Sequence, residues 1–259
     1  GASIARQGRR LTPGAVGLLA AAGHSRVKVV RNPRVAIVAT GDEVIAPGHP
    51  LPDGKLYASN MTTLDAWCRR YGMETRLALA RDDAEEIRGT LEALFDETDV
   101  VITSGGAWTG DRDMVARILT QLGWHQIFHR IRIGPGKAVG FGLRHTKPAF
   151  ILPGGPPSNL MGFLQIALPG LLRLAGCQRP GLPTRSVRLA EDLRGRAADW
   201  TQFIYGTLSN HGEELLFHSL GRKSRLQSMS EAQGIVAIPE GQTFYPAGTR
   251  LRAQVLEEF

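Results

Sequence analysis

Residues 99–113 read DVVITSGGAWTGDRD. The run Val100-Val101-Ile102 has the β-branched character of a buried strand, and Gly105 and Gly106 break it at once. Two adjacent glycines after Ser104 let backbone amides turn toward an anion where the next helix begins, although a plain strand-to-helix turn explains them equally well. The helix follows as MVARILTQLG, with Val115, Ile118, Leu119 and Leu122 on one side. Asp113 stands at its start, where a carboxylate caps amides or holds a divalent cation. Strand, glycine turn and helix in this order form one unit of a parallel α/β sheet.

The unit repeats on both sides of this stretch. Upstream lie strand RVAIVAT (34–40), a Gly/Pro-rich loop over 40–60, and helix NMTTLDAWCRRYG, which turns Leu64, Trp67, Cys68 and Tyr71 one way. Strand TRLALA (75–80) and helix DDAEEIRGTLEALFDE follow, the helix burying Ile87, Leu91, Leu94 and Phe95. Downstream, HQIFHRIRI (125–133) reads as strand, GPGKAVGFG (134–142) as a glycine-rich loop and PAFILPG (148–154) as strand. PPSNLMGFLQIALPGLLRLAG reads as a helix kinked at Pro169. Alternation of this kind predicts a mostly parallel sheet covered on both faces, three layers in all, with ligands beyond the carboxyl ends of the strands.

The flanks differ in texture. At the front, LTPGAVGLLAAAG predicts a short helix with Thr12 as N-cap, Pro13 at its first position and Gly23 after its end, then a strand and turn in VKVVRNP. These opening residues, 1–33, are too few for a domain and read as the remnant of a larger N-terminal region. Beyond Pro180 the chain turns to short alternating segments, TRSVRLA, TQFIYGTL, ELLFHSL, GIVAIPEG and RLRAQVL, which predict a small β-barrel-like domain. The expected division is 1–33, 34–178 and 179–259.

Hydrophobic content of 42% and charged content of 21% over 259 residues are those of a globular protein, and no apolar run is long enough for a membrane span. Cys68 and Cys177 have no partner at metal-ligand spacing, which fits a reducing cytoplasm. His125 and His129 read as a solvated pair. The net charge of +7 is concentrated upstream of residue 180, and no carboxylate occurs between Asp113 and Glu191. Such a field suits an anionic ligand; without aromatic-basic interleaving or a binding motif, a small anion is a better partner than nucleic acid.

Several strand ends carry chemistry. TGDE (40–43) offers paired carboxylates. Asp83 with Glu86 predicts a capping box, leaving Asp82 over. Lys137, in PGK, suits a phosphate or oxyanion, and LPGGPPS (152–158) predicts an amide-lined helix start. Acids, one lysine and two amide nests together suit a phosphate with a bridging cation.

In order and spacing, TGDEVIAPGHPLPDGKLYASN, RDDAEEIR, DVVITSGGAWTGDRD, IGPGKAVGFG and LPGGPPSNL resemble the molybdenum-insertion enzymes of molybdenum cofactor synthesis. These are the MoeA family, which includes the E domain of gephyrin. The resemblance extends through SMSEAQGIVAIPEGQTFYPAGTRL (228–251) and back to RLTPGAVGLLAAAG, so it covers nearly the whole chain. It implies a MogA-like molybdopterin-binding α/β domain followed by a C-terminal β domain, in a cytoplasmic homodimer. It further implies hydrolysis of adenylylated molybdopterin to release AMP, with molybdate passed to the dithiolene and Mg2+ assisting.

Carried over by position, the resemblance gives catalytic roles to Glu43, Asp82 or Asp83, Asp113 and Lys137, with Glu43 and Asp113 as Mg2+ ligands. It gives ligand-binding roles to Thr40, Gly41, Ser104, Gly105, Gly106, Trp108, Pro153, Gly154, Pro156, Ser158 and Arg225. Its partners would be a MogA-type adenylyltransferase and molybdoenzyme chaperones. The chain departs from the family where Trp108 replaces a small hydroxyl residue, Gly134 a lysine, Ala138 a proline and Gly155 an asparagine. Trp108 could stack on a pterin or adenine ring, fill the pocket or pack in the core. These changes keep two other readings open: a non-catalytic binder or carrier of the pterin, and a MogA-like adenylyltransferase.

Overall fold

The structure is a computed structural model and describes residues 3–6, 8–105, 114–221 and 225–257; Gly106, Trp108, Asp113 and the side chain of Arg225 lie outside the described residues. At the front, helix α1 (Pro13–Ala21) is capped as its sequence predicts, the Thr12 hydroxyl accepting from the Ala15 amide at 3.3 Å. The strand expected in VKVV is not formed: residues 27–30 belong to no strand or helix, and Val29 and Val30 are exposed. β-branched residues favour an extended backbone, yet a strand also needs an edge to pair with. Past it, Asp99 grips the chain, accepting from the Arg31 guanidinium at 2.5 and 2.7 Å and from the Arg34 amide at 2.8 Å.

The α/β domain runs β1 (Val35–Thr40), β2 (Val44–Ile45), β3 (Leu56–Tyr57), α2 (Ser59–Arg70), β4 (Thr75–Ala80), α3 (Ala84–Glu97) and β5 (Val100–Ser104). It continues through α4 (Met114–Gln121), β6 (Trp124–His129), β7 (Ile133–Gly134), β8 (Gly140–Arg144), β9 (Lys147–Leu152) and α5 (Pro156–Gly162). A π-helical turn, Phe163–Ala167, then leads into α6 (Leu168–Leu174). The main sheet has the order β4-β1-β5-β9-β8-β6, with β4, β1, β5 and β9 parallel. Residues of β1 alternate between two cores. Val35, Ile37 and Ala39 face α2 and the α5–α6 segment; Ala36 and Val38 face α3 and α4. Helices on both faces explain why all six residues of β1 are buried. The helix expected across Pro169 is instead interrupted by the π turn, in which the Leu168 amide reaches back to the Phe163 carbonyl. That wider turn accommodates a residue with no N–H of its own.

One stretch read as loop proves to be a strand. β8 occupies 140–144, antiparallel to β6 and β9. Its glycines serve close packing, not turning: a Cβ on Gly142 would lie 2.3 Å from the His125 carbonyl oxygen and 2.5 Å from the Trp124 indole.

The C-terminal domain comprises β10 (Thr184–Leu189), β11 (Leu193–Arg194), β12 (Thr201–His211), β13 (Glu214–Ser219), α7 (Arg225–Glu231), β14 (Gly234–Ile238), β15 (Phe244–Tyr245) and β16 (Arg250–Val255). Pairing runs β13-β10-β16-β14-β12 and returns to β13, so five strands close a barrel around Val187, Leu189, Leu208, Phe217, Val236, Ile238 and Ala253. The barrel docks on the α/β domain through Tyr205, Ile235 and Leu256, which join the core of α2 and α5, and through a reciprocal amide pair between Gln165 and Gln254. A strand of the first domain also extends the second: β7 pairs in parallel with Thr201–Gln202 of β12.

Candidate functional site

Because β1, β4, β5 and β9 are parallel, their carboxyl ends and the four loops that follow share one edge. From β1 the chain moves outward to β4, whereas from β5 it moves the other way to β9, so β1 and β5 flank the point where strand order reverses. Open α/β sheets bind ligands at such a point. Gly105 fits this place and no larger residue would. It takes a φ of 111°, and a Cβ on it would meet the Thr40 carbonyl oxygen at 2.5 Å and the Thr40 Oγ1 at 3.0 Å. Gly154 lies next to it, its own missing Cβ 3.8 Å from the Gly105 Cα.

The floor of the crevice is fastened by two asparagines. The Asn159 amide donates to the Ser104 hydroxyl at 2.9 Å and the Pro153 carbonyl at 2.9 Å. The Asn60 amide donates to the same hydroxyl at 3.3 Å and to the Gly154 carbonyl at 2.7 Å. Buried Ser104 thereby joins the end of β5 to α2 and to the β9–α5 turn. Neither asparagine was singled out in the sequence. Their signal was modest: Asn60 is the second residue of α2 and Asn159 the fourth of α5, both past the N-cap position where Asn is common.

An acidic rim flanks this floor. The Asp82 amide donates to Asp42 Oδ1 at 3.2 Å, and the Glu43 carboxylate curls over Gly41, where a Cβ would meet it at 2.6–2.8 Å. Partial burial, then Glu43, then Asp42, push the Asp82 carboxyl above its ordinary value. The ammonium of Lys55 donates to the Asp42 carbonyl at 2.6 Å, bringing a cation beside the acids that the sequence reading overlooked. Asp83 turns away, accepting from the Glu85 and Glu86 amides as the N-cap of α3. Only half of the expected capping box forms, because Glu86 binds the amide and guanidinium of Arg81. Of the two adjacent aspartates, Asp82 is therefore the one facing Glu43.

At the other side, Pro156 opens α5 and Gly155 is its N-cap, with no side-chain cap. The start is poorer in donors than LPGGPPS suggested: Pro156 and Pro157 carry no N–H, which leaves the amides of Gly154, Gly155 and Ser158 and the Ser158 hydroxyl. The Lys137 loop packs against this helix, since a Cβ on Gly136 would lie 3.3 Å from both Ser158 O and Gly162 N. Lys137 itself is exposed, its ammonium 5.0 Å from the centroid of the Trp200 ring.

Thr40, Gly41, Glu43, Asp82, Ser104, Gly105, Pro153 and Gly154 thus meet along one edge, with Pro156, Ser158 and Lys137 around α5. Gly106, Trp108, Asp113 and the Arg225 side chain lie outside the described residues. Other cations of the carboxylate-free stretch serve the fold. Arg144 donates to the Leu122 carbonyl and Lys147 to the Phe95 carbonyl near helix ends, at the opposite edge of the sheet, while Arg132 pairs with Glu240 and Arg188 with Glu214. Grooves of about 430 and 810 Å³ lie between α2 and α7 and on the barrel wall, away from the strand ends. Among the described residues, no three His, Cys, Asp or Glu side chains are grouped to hold a metal ion, and no helix is long and apolar enough to cross a membrane.

Comparison with known proteins meets the same two units. Residues 36–173 match the family described as a probable molybdopterin binding domain, and residues 186–256 match the MoeA C-terminal region, domain IV. The chain belongs to the MoeA family. Among relatives, molybdopterin molybdenumtransferase from Nostoc is 31% identical over 92% of this chain and 56% of its own. Molybdopterin molybdenumtransferase 2 from Mycobacterium tuberculosis is 30% identical over 97% and 64%. Two crystal structures of molybdopterin biosynthesis MoeA proteins from Pyrococcus horikoshii align with TM-scores of 0.81 and 0.78, at 31% and 25% identity. They cover 99% and 98% of this chain and 62% of each of theirs. The chain therefore spans about three fifths of the length of the relatives it matches. As a MoeA-family member it pairs the family's two matched regions with the α/β domain and the closed barrel, the first reaching from β1 into α6.

Proposed function

We propose that this protein binds adenylylated molybdopterin at the β1/β5 switch point, with hydrolysis of the nucleotide linkage releasing AMP and molybdate passing to the dithiolene. The observation that carries this reading is an acidic rim, Glu43 and Asp82, beside the tight Thr40–Gly105 turn, with the exposed Lys137 in the loop that packs on α5. An all-carboxylate rim suits a hard cation. Mg2+ is commonly held by one or two carboxylates together with substrate phosphates, so the lack of a complete protein cage among the described residues is compatible with it. Glu43 and, outside the described residues, Asp113 are the proposed ligands; when bound, Mg2+ would offset charge on the phosphoanhydride.

In this reading Asp82 accepts a proton from the attacking water, while Lys137, Ser158 and the amides of Gly154 and Gly155 hold the tetrahedral anion. Asp83 serves α3, and Trp108 and Arg225 remain proposed contacts to the pterin nucleotide. A second copy of the chain, a MogA-type adenylyltransferase and molybdoenzyme chaperones are the proposed partners, in a reducing cytoplasm.

The test is AMP release from adenylylated molybdopterin in the presence of molybdate and Mg2+, followed for the wild type, Glu43→Gln and Asp113→Ala. Release by the wild type and its loss in both variants is the expected result. Tight molybdopterin binding without AMP release would replace the enzyme by a carrier, and AMP transfer from labelled ATP would replace it by an adenylyltransferase.

A further inference from the structure

The contact between Lys137 and Trp200 crosses the two domains. Lys137 stands in the β7–β8 loop, whose backbone is fixed by the Ile131 amide donating to the Lys137 carbonyl at 3.0 Å and by the packing of Gly136 on α5. Trp200 immediately precedes β12. The next residue, Thr201, donates its amide to the Arg132 carbonyl at 3.1 Å and pairs with Ile133. One short ladder therefore sets the position of both partners.

Among the described residues Lys137 has no carboxylate partner. That absence matters for an anion site. A carboxylate would restrain the ammonium by neutralising it and would then compete with the ligand. An aromatic face attracts the ammonium through its quadrupole, restricts a side chain rich in rotamers, and leaves the full charge in place. Indole is the strongest of the aromatic faces for this purpose.

We propose that Trp200 is a positioning residue for Lys137: the indole face takes one side of the ammonium and leaves the N–H donors on its other side for a tetrahedral oxyanion. The proposal rests on the site reading above. It makes the loop before β12, in the barrel domain, a determinant of anion affinity in the α/β domain. The oxyanion is either the phosphate of the nucleotide or molybdate itself.

Calorimetric titration of the full chain with AMP and, separately, with molybdate, each with Mg2+, tests it. Trp200→Ala should weaken the anion that Lys137 holds by about two- to fivefold, the range of an exposed cation–π contact. Trp200→Phe should restore most of the loss. The deciding comparison is the cycle with Lys137→Ala: once the ammonium is gone, Trp200→Ala should weaken binding no further. Equal losses in both backgrounds, or unchanged affinity in Trp200→Ala while Lys137→Ala binds weakly, would overturn the role of Trp200 and leave the site reading standing. Failure of the wild type to bind either anion would overturn both.

Discussion

The backbone of Gly105 lies against that of Thr40 so closely that a Cβ would come 2.5 Å from the Thr40 carbonyl oxygen. Gly105→Ala must therefore relax a φ of 111° and push two strand ends apart. A loss of about 1–3 kcal/mol is expected on urea unfolding, together with loss of nucleotide binding. A variant as stable as the wild type would mean that the strand ends separate freely, and the switch-point crevice would lose its rigid floor.

Asn159 is buried, and its amide joins Ser104 to the Pro153 carbonyl. Asn159→Ala takes this donor from the Pro153 carbonyl and leaves the Ser104 hydroxyl with Asn60 alone, and should cost about 1–3 kcal/mol. Asn159→Asp should cost at least as much at neutral pH, because a carboxylate would then face a carbonyl oxygen. Asn60→Ala, at a more exposed position, should cost less. Thermal melts of the three variants give the order directly.

Asp82 predicts a salt- and cation-dependent stability. Its carboxyl is raised above 3.8 in the fold by partial burial and by Glu43 and Asp42. The folded protein thus binds this proton more tightly than the unfolded chain does. Its favourable contribution is complete below about pH 4 and is lost as pH rises through the raised value. At neutral pH the rim opposes folding slightly, an effect that solvent screening keeps small at so exposed a site. Asp82→Asn should raise the melting temperature of the ligand-free protein at pH 7, with the gain shrinking below pH 4 and in high salt. Mg2+ should stabilise the wild type more than the variant; an identical Mg2+ response would remove Asp82 from the cation's surroundings.

Asp99 predicts the opposite limb. The Arg31 guanidinium, opposed by burial and helped by the Arg34 amide, holds its carboxyl at about 2, below the usual 3.8. Stability from this contact is complete above about pH 4 and drains away as pH falls toward 2. Asp99→Asn should cost about 1–2 kcal/mol at pH 7, a figure reduced by the exposure of Arg31, and should flatten acid unfolding between pH 4 and 2. An acid limb unchanged in the variant would show that other carboxylates set it.

Much of this architecture was legible because period and punctuation agree. Ile87, Leu91, Leu94 and Phe95 fall on one side of α3, Thr12 and Pro13 mark the start of α1, and the barrel segments alternate between polar and apolar. The errors share a cause: a residue's local preference was read without its neighbours. Gly140 and Gly142 signal a loop until the Trp124 indole fills the space above the strand. The valines of 27–30 signal a strand until no edge is found beside them. At the site, the acids and glycines stood out by type. Asn60, Asn159, Lys55 and Trp200 did not, because their importance comes from partners distant in the chain.

Every strand of the barrel ring is hydrogen-bonded on both sides, since β13 joins β10 as well as β12. The ring is closed, so no barrel strand is a sheet edge along its whole length. The main sheet is different: it ends in β4 and β6, and β4 leaves Leu77 and Leu79 uncovered. Should strand-by-strand aggregation afflict this protein, its seam belongs at those two margins, and surface charge introduced there should improve solubility.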